Sequence, residues 1–186
     1  MMIALDNPLE FEGGSIRPLK PGDVHAGYVD GLNDPQVNRY LVGVRQSVQS
    51  TESVMQFVRQ NIEAPDAALF GIWQAGQDQH CGTIRLHAIE RIHHSAHIGV
   101  CLFDRRAWYK GMASCAVNVL TQWALETMHL RWIEAGMYAD NLASEKTFLA
   151  AGYEWVYDVQ DKYLFEGRAA AAKVYAARNR LWQKPS

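Results

Sequence analysis

Leu102-Phe103-Asp104-Arg105-Arg106-Ala107-Trp108-Tyr109-Lys110-Gly111-Met112-Ala113 is the stretch on which the fold turns. The apolar run Ala96–Phe103 stops at Asp104. A loop rich in Arg, Trp and Gly follows, and then a long amphipathic segment begins. Ala113, Ala116, Val117, Leu120, Ala124, Leu125 and Met128 fall on one stripe of that segment at helical spacing. The pattern is strand, loop, helix. The first turn of such a helix has main-chain N–H groups without partners and carries the positive end of the helix dipole, a combination that binds phosphate oxygens. Gly111 and Ala113 are small enough to let a pyrophosphate approach the backbone, and Arg105, Arg106 and Lys110 can add charge.

Outward from this point the period is mostly that of strands. Ala68–Gln74, Cys81–His87 and Ala96–Phe103 read as an antiparallel meander, with Ala75-Gly76-Gln77-Asp78 as its first turn. Ahead of it, Ser15–Leu19 reads as a short strand. Asp23 is placed to cap a helix carrying Val24, Tyr28, Val29 and Leu32, which Asn33-Asp34-Pro35 breaks. Thr51 is placed to cap a second helix carrying Val54, Phe57, Val58, Asn61 and Ile62. Downstream, Trp132–Tyr138 reads as a strand and Leu142–Ala151 as a helix closed by Gly152 at C′. Tyr153–Phe165 reads as a last strand or hairpin. The Ala-rich stretch from Arg168 to Trp182 predicts a terminal helix. The fold class is α+β with a mixed, mostly antiparallel sheet. Residues 1–167 form the domain, and 168–186 a C-terminal helical extension of it.

The chain has 186 residues, with 18 basic against 20 acidic side chains and a net charge of −2. That balance lacks the basic excess of a phosphate-backbone binder, so no nucleic-acid partner is expected. No apolar run approaches the eighteen residues of a membrane span, and the N-terminus does not read as a signal peptide, so a cytoplasmic protein without a membrane partner is expected. Cys81, Cys101 and Cys115 are odd in number and widely spaced, which reads as reduced thiols. With no C-x-x-C pair, no metal site is expected.

A second stretch bears on chemistry. In Asp140-Asn141-Leu142-Ala143-Ser144-Glu145-Lys146-Thr147-Phe148-Leu149-Ala150-Ala151-Gly152-Tyr153, Asn141 stands at the end of a strand and Ser144 in the first turn of the next helix. Taken alone this is a capping arrangement, Asn141 as N-cap and Gly152 as C′. Together with the loop before Met112, and with Asp34-Pro35-Gln36-Val37-Asn38-Arg39-Tyr40-Leu41, it resembles the GCN5-related N-acetyltransferase (GNAT) superfamily. The likeness is to the RimJ/RimL branch that acetylates ribosomal-protein N-termini and related small amines, and it covers roughly residues 15 to 166.

The resemblance implies a GNAT fold whose central sheet splits in a V, flanked by helices, with acetyl-CoA as co-substrate and no metal. It implies that the backbone of Cys101, Leu102 and Phe103 pairs with the pantetheine amides. Tyr109, Lys110, Gly111, Met112, Ala113 and Ser114 would cradle the pyrophosphate, and Asn141 would meet the cofactor near its reacting end. Two positions depart from the family pattern. Trp108 stands where the phosphate loop usually has Gln or Arg. Phe148 stands where many members have a Tyr that protonates the departing thiolate, which leaves Ser144 as the candidate donor.

Acetyl transfer to an amine also needs a group that takes the amine proton. His97 lies fourteen residues before Gly111, the spacing at which related histone acetyltransferases carry their Glu base, and imidazole titrates near neutrality. Glu134 is the rival; Asp158 and Glu154 are weaker candidates. His87, His93 and His94 read as solvated histidines rather than a metal cluster. The function expected is an acetyl-CoA-dependent N-acetyltransferase, working by direct attack of a primary amine in a ternary complex. The alternative is a non-catalytic acyl-CoA-binding regulatory module. The acceptor partner is a protein N-terminus or a small-molecule amine. The segment after residue 167 would cover the acceptor site or pack against a second subunit in a homodimer.

Overall fold

The computed structural model describes residues 5–183. Eight strands form one sheet: β1 Leu9–Phe11, β2 Gly14–Pro18, β3 Ala68–Gln74, β4 His80–Glu90, β5 Ser95–Leu102, β6 Trp132–Tyr138, β7 Glu154–Phe165 and β8 Arg168–Arg178. Their spatial order is β1-β2-β3-β4-β5-β6-β8-β7. Every neighbouring pair is antiparallel except β5 and β6. Five helices flank the sheet: α1 Ala26–Asn33, the single turn α2 Val42–Arg45, α3 Thr51–Glu63, α4 Met112–Glu126 and α5 Leu142–Ala150. The expected α+β class and mostly antiparallel sheet are both present.

Two cores sandwich the sheet. On one face the apolar stripe of α4 (Ala116, Val117, Leu120, Ala124) meets Phe70, Ile84, Leu86, Ile98 and Ile133, and α5 adds Phe148. On the other, Tyr28 of α1 and Val54 and Val58 of α3 cover Leu69, Trp73 and Phe103. Strand alternation divides β5 between them. Ala96 and Ile98 are buried toward α4, whereas His97 and Gly99 turn the other way and are only partly covered.

The caps differ by a residue or two from the sequence reading. Ser50, not Thr51, caps α3, through a reciprocal box with Ser53. Asp23 ends a 3-10 turn, and His25 caps α1 with its ring Nδ1 accepting from the Tyr28 N–H.

The larger correction concerns the C-terminus. Residues Arg168–Arg178 are strand β8, not a helix, so the helical extension expected after residue 167 is a strand there; residues 184–186 lie outside the described residues. Alanine favours helix by propensity, but only by tenths of a kcal/mol per residue. Two ladders outweigh that preference. Glu166 (φ 51°) and Gly167 (φ 78°) form a two-residue turn with both φ values positive, the hairpin type that returns the chain antiparallel along β7. β8 is thereby inserted between β7 and β6 and pairs with β6 over its whole length, Trp132↔Arg178 to Tyr138↔Ala172. The segment expected to cover the acceptor site is an interior strand of the sheet.

Where β5 meets β6 the sheet divides. Only three rows pair, Ser95↔Trp132, Ala96↔Ile133 and His97↔Glu134. Beyond them β5 stays with β4 as far as Gly82↔Leu102, and β6 stays with β8 as far as Tyr138↔Ala172. The two arms of a V therefore open past His97 and Glu134.

Helix α1 sits close on the end of the β5 arm. A Cβ added at Gly31 would stand 2.7 Å from the Phe103 carbonyl oxygen and 2.8 Å from its Cβ. Alanine in a helix gains about 1 kcal/mol over glycine, but overpacking against main chain, which no rotamer relieves, costs about 1–3 kcal/mol. Gly31→Ala is expected to destabilise the protein by about 1 kcal/mol or more in urea unfolding, against the propensity trend.

Candidate active site

The V is built from main chain that the sheet leaves unpaired. Trp108 Nε1–H donates to the Leu102 carbonyl at 2.8 Å, so that carbonyl turns away from β4. Strand alternation then sends the main-chain groups of Val100 to the same open edge and those of Cys101 toward β4. Phe103 is committed elsewhere: its ring stacks on Tyr28 at 4.5 Å and its carbonyl faces Gly31. Of the expected pantetheine partners Cys101, Leu102 and Phe103, Leu102 has the right aspect. Val100, which the sequence reading passed over, shares it. Trp108, a departure from the family pattern, acts as a latch that folds the loop back on the strand end.

The loop ends on Gly111, the N-cap of α4, at φ 74° with no side chain capping the helix. Gly111 O accepts from the Cys115 N–H and from Ser114 Oγ at 2.8 Å. The N–H groups of Met112, Ala113 and Ser114 belong to the first turn and have no intrahelical acceptor. Tyr109 is 97% exposed, with φ 59°. The loop charge is less free than its composition suggests. Arg106 pairs with Asp104 at 2.8 Å and Arg105 with Asp34 at 3.5 Å, whereas Lys110 has no ion pair among the described residues. These residues border a cleft of about 540 Å³ on the α1 side of the loop.

At the base of the V the two rival candidates for the proton acceptor prove to be neighbours. His97 and Glu134 form the last paired row, with His97 Nδ1 3.9 Å from Glu134 Oε1. The imidazole is about half exposed and the carboxylate mostly covered. Trp132 Nε1–H lies 3.4 Å from Glu134 Oε2, and His87 stacks on His97 at 5.6 Å from the neighbouring β4. Burial, with Arg85 and His97 nearby, holds His87 below the usual histidine range, so it is neutral at pH 7. Glu154 is instead bound by Arg178 and Arg180, and Asp158 accepts from the Trp155 indole. His94 packs on Trp182. Among the described residues no three His, Cys, Asp or Glu side chains are grouped to hold a metal ion.

Asn141 and Ser144 stand at the open end of the β6 arm. Asn141 caps α5 by accepting the Ser144 N–H at 3.2 Å, so the capping role is real. The Ser144 hydroxyl makes no hydrogen bond with the described residues, and no direct contact joins it to the His97–Glu134 row. Phe148, at the position of the family tyrosine, is 3% exposed and packs edge-on against Tyr153. Next to Ser144, Glu145 receives Lys173 Nζ at 2.9 Å and the Tyr175 hydroxyl, which ties α5 to β8. The thiols are poorly suited to carry an acetyl group. Burial pushes Cys101 up to about 12 and Cys81 up to about 11, leaving both protonated at neutral pH.

A sheet that parts beside a helix whose first-turn N–H groups stay uncapped can receive an extended ligand carrying amides and phosphate. A family model for the acetyltransferase (GNAT) domain matches residues 15–154, and the chain belongs to that family. An uncharacterized N-acetyltransferase of Bacillus subtilis, YoaA, is 24% identical over 146 residues, 78% of this chain and 82% of that protein. The fold matches a RimL ribosomal L7/L12 alpha-N-protein acetyltransferase in complex with coenzyme A. The TM-score is 0.82 at 18% identity, covering 92% of this chain and 98% of that one. It also matches a ribosomal-protein-S5-alanine acetyltransferase from Vibrio fischeri, with a TM-score of 0.78 at 24% identity over 96% of this chain and all of that one. The protein is an N-acetyltransferase of this family.

The Glu145 cluster makes a pH prediction. The Tyr175 phenol, and then the Lys173 ammonium, hold the Glu145 carboxyl below the usual carboxylate range. A carboxyl depressed in the folded state stabilises the fold above its ordinary pKa, and that contribution is lost as pH falls through the depressed value. Glu145→Gln should therefore lower the melting temperature at pH 7 and narrow the gap to wild type as the pH drops below about 4.

Proposed function

We propose that this enzyme transfers acetyl from acetyl-CoA to a primary amine by direct attack within the V. The carrying observation is that the row at which β5 and β6 part company holds His97 and Glu134 side by side. An amine reaching the V meets a proton acceptor at its base. The uncapped N–H groups of Met112, Ala113 and Ser114, with Gly111, Tyr109 and Lys110 beside them, suit the pyrophosphate. The open edge of β5 suits the pantetheine amides, and Asn141 and Ser144 face the reacting end.

The amine nitrogen attacks the thioester carbon, and its surplus proton passes to the His97–Glu134 pair. The C–S electron pair leaves with sulfur, and Ser144, whose hydroxyl has no hydrogen-bond partner among the described residues, relays to that thiolate a proton that it regains from solvent. The raised pKa values of buried Cys81 and half-buried Cys101 support direct attack over an acetyl-cysteine intermediate. Two of the structures named above are a ribosomal L7/L12 alpha-N-protein acetyltransferase and a ribosomal-protein-S5-alanine acetyltransferase, and an amine of a protein or a small-molecule amine is the acceptor proposed here.

Two measurements test this reading. Gly111→Glu places a charge and a side chain where phosphate must touch backbone, and should weaken CoA binding by at least about tenfold, or about 1.4 kcal/mol, in calorimetry. Unchanged affinity in the folded variant would remove the loop from the site. His97→Ala should lower turnover about 10²-fold, measured as thiol release, while CoA affinity holds. If His97→Ala keeps full turnover and Glu134→Gln loses it, the base is Glu134. Binding of acetyl-CoA without thiol release on any amine would favour a binding module over an enzyme.

A further inference from the structure

The face of the V that carries His97 and Glu134 continues along both arms as glycine. Gly99 follows His97 by two residues on β5, and Gly136 follows Glu134 by two residues on β6, so both lie on the base's face of their strands. Gly136 is exposed, although its neighbours Ala135 and Met137 are buried against α4 and α5. Strand glycines of this kind mark places where another group comes close to the main chain.

The group that comes close is a phenol. A Cβ at Gly136 would stand 3.5 Å from the hydroxyl of Tyr163. Tyr163 reaches this position because β7 is irregular between Val159 and Tyr163, with Asp161 at φ 55°. Aromatic neighbours then hold it there: Tyr163 lies against Tyr138 at 4.7 Å, and Tyr138 lies against Tyr40 and Phe165 at 5.6 and 5.4 Å.

Three phenols thus crowd the β6 arm, and they are not equivalent. Tyr40 donates to the Asp140 carbonyl and Tyr138 to the Leu164 carbonyl, both at 3.3 Å. The Tyr163 hydroxyl makes no hydrogen bond among the described residues. It is only half-buried and stands one side-chain row from Glu134, a separation of roughly 7 Å along the strand. It lies on the base's face of the sheet, opposite the face that packs on α4 and α5.

We propose that Tyr163 is the residue that takes hold of the acceptor amine, resting on the acetyltransferase reading above. Its phenolic oxygen accepts one amine N–H, which leaves the nitrogen lone pair free for the thioester carbon. A second N–H is left for the His97–Glu134 pair, which removes the proton. Gly136 is glycine so that the amine and this hydroxyl can meet over the strand.

The test compares wild type, Tyr163→Phe, Gly136→Ala and Tyr138→Phe. The readouts are kcat and KM for the best of a panel of primary amines (an n-alkylamine, an amino-acid amide and a polyamine), the acetyl-CoA dissociation constant, and the melting temperature. Tyr163→Phe should lower kcat/KM for the amine about tenfold or more, mainly through KM, with acetyl-CoA affinity and melting temperature held. Gly136→Ala meets only ordinary contacts, so it should fold and show a similar loss. Tyr138→Phe, whose phenol is committed to Leu164, should cost stability without the change in KM. Unchanged kcat/KM in Tyr163→Phe, beside an active wild type, overturns this proposal alone. A wild type that acetylates no amine overturns the acetyltransferase reading and this proposal with it.

Discussion

The parallel pairing of β5 and β6 lasts three rows, and the rest of the site follows from its ending there. A buried strand edge must satisfy its N–H and C=O groups or leave them to a ligand. Each arm has a partner on its outer side, β4 for β5 and β8 for β6, so neither needs the other to remain a strand. The inner edges are therefore open without the sheet coming apart. What closes the V is packing: α4 and α5 span it on one face, and α1 with the loop through Tyr40 meets it on the other. A wedge with hydrogen-bonding walls is a suitable receptor for a chain of amides.

The loop from Asp104 to Gly111 carries one of those walls to the uncapped start of α4. Its geometry is local: Asp104 accepts from Arg106, Trp108 donates back to Leu102, and Gly111 enters the left-handed region that only glycine takes without strain. The arginines are mostly spent on carboxylates, Arg105 on Asp34 and Arg106 on Asp104. In the proposed function, recognition of phosphate accordingly falls on backbone N–H groups and on Lys110, and the helix start matters more than the count of basic residues. The Arg105–Asp34 pair also ties the loop to the residue that ends α1.

Much of this was legible in the sequence because it depends on local order. The strand–loop–helix passage through Gly111 and the Asn141 cap are each written within a dozen residues. So is the alternation that puts His97 with Gly99 and Glu134 with Gly136 and Tyr138. The neighbourhood of His97 and Glu134 needed one non-local fact, that β5 and β6 pair in that register. Three features could not be read this way. The alanines of Arg168–Arg178 carry helix propensity, and only the ladders to β6 and β7 make them a strand. Leu102 and Phe103 look alike in sequence, yet the Trp108 latch and Gly31 decide which carbonyl faces the cleft. Tyr163 comes to Gly136 through an irregular pairing some twenty-seven residues further on, which no periodicity announces.

That last strand also explains why the V stays open. Were Arg168–Arg178 a surface helix, the outer edge of β6 would be bare. With β8 in place, the Trp132–Tyr138 arm is held row by row on its outer side, and Glu145 anchors the same strand to α5 through Lys173 and Tyr175. The small side chains of β8 suit this position. Ala172, Val174 and Ala176 are fully buried or nearly so beside Tyr138, Gly136 and Glu134. Bulk there would push Tyr163 and Tyr138 off the arm. The alanine-rich strand β8 is thus part of the wall of the V: it pairs the outer edge of β6 while the inner edge stays open toward β5, and it leaves the face above β6 to Tyr163 and Tyr138.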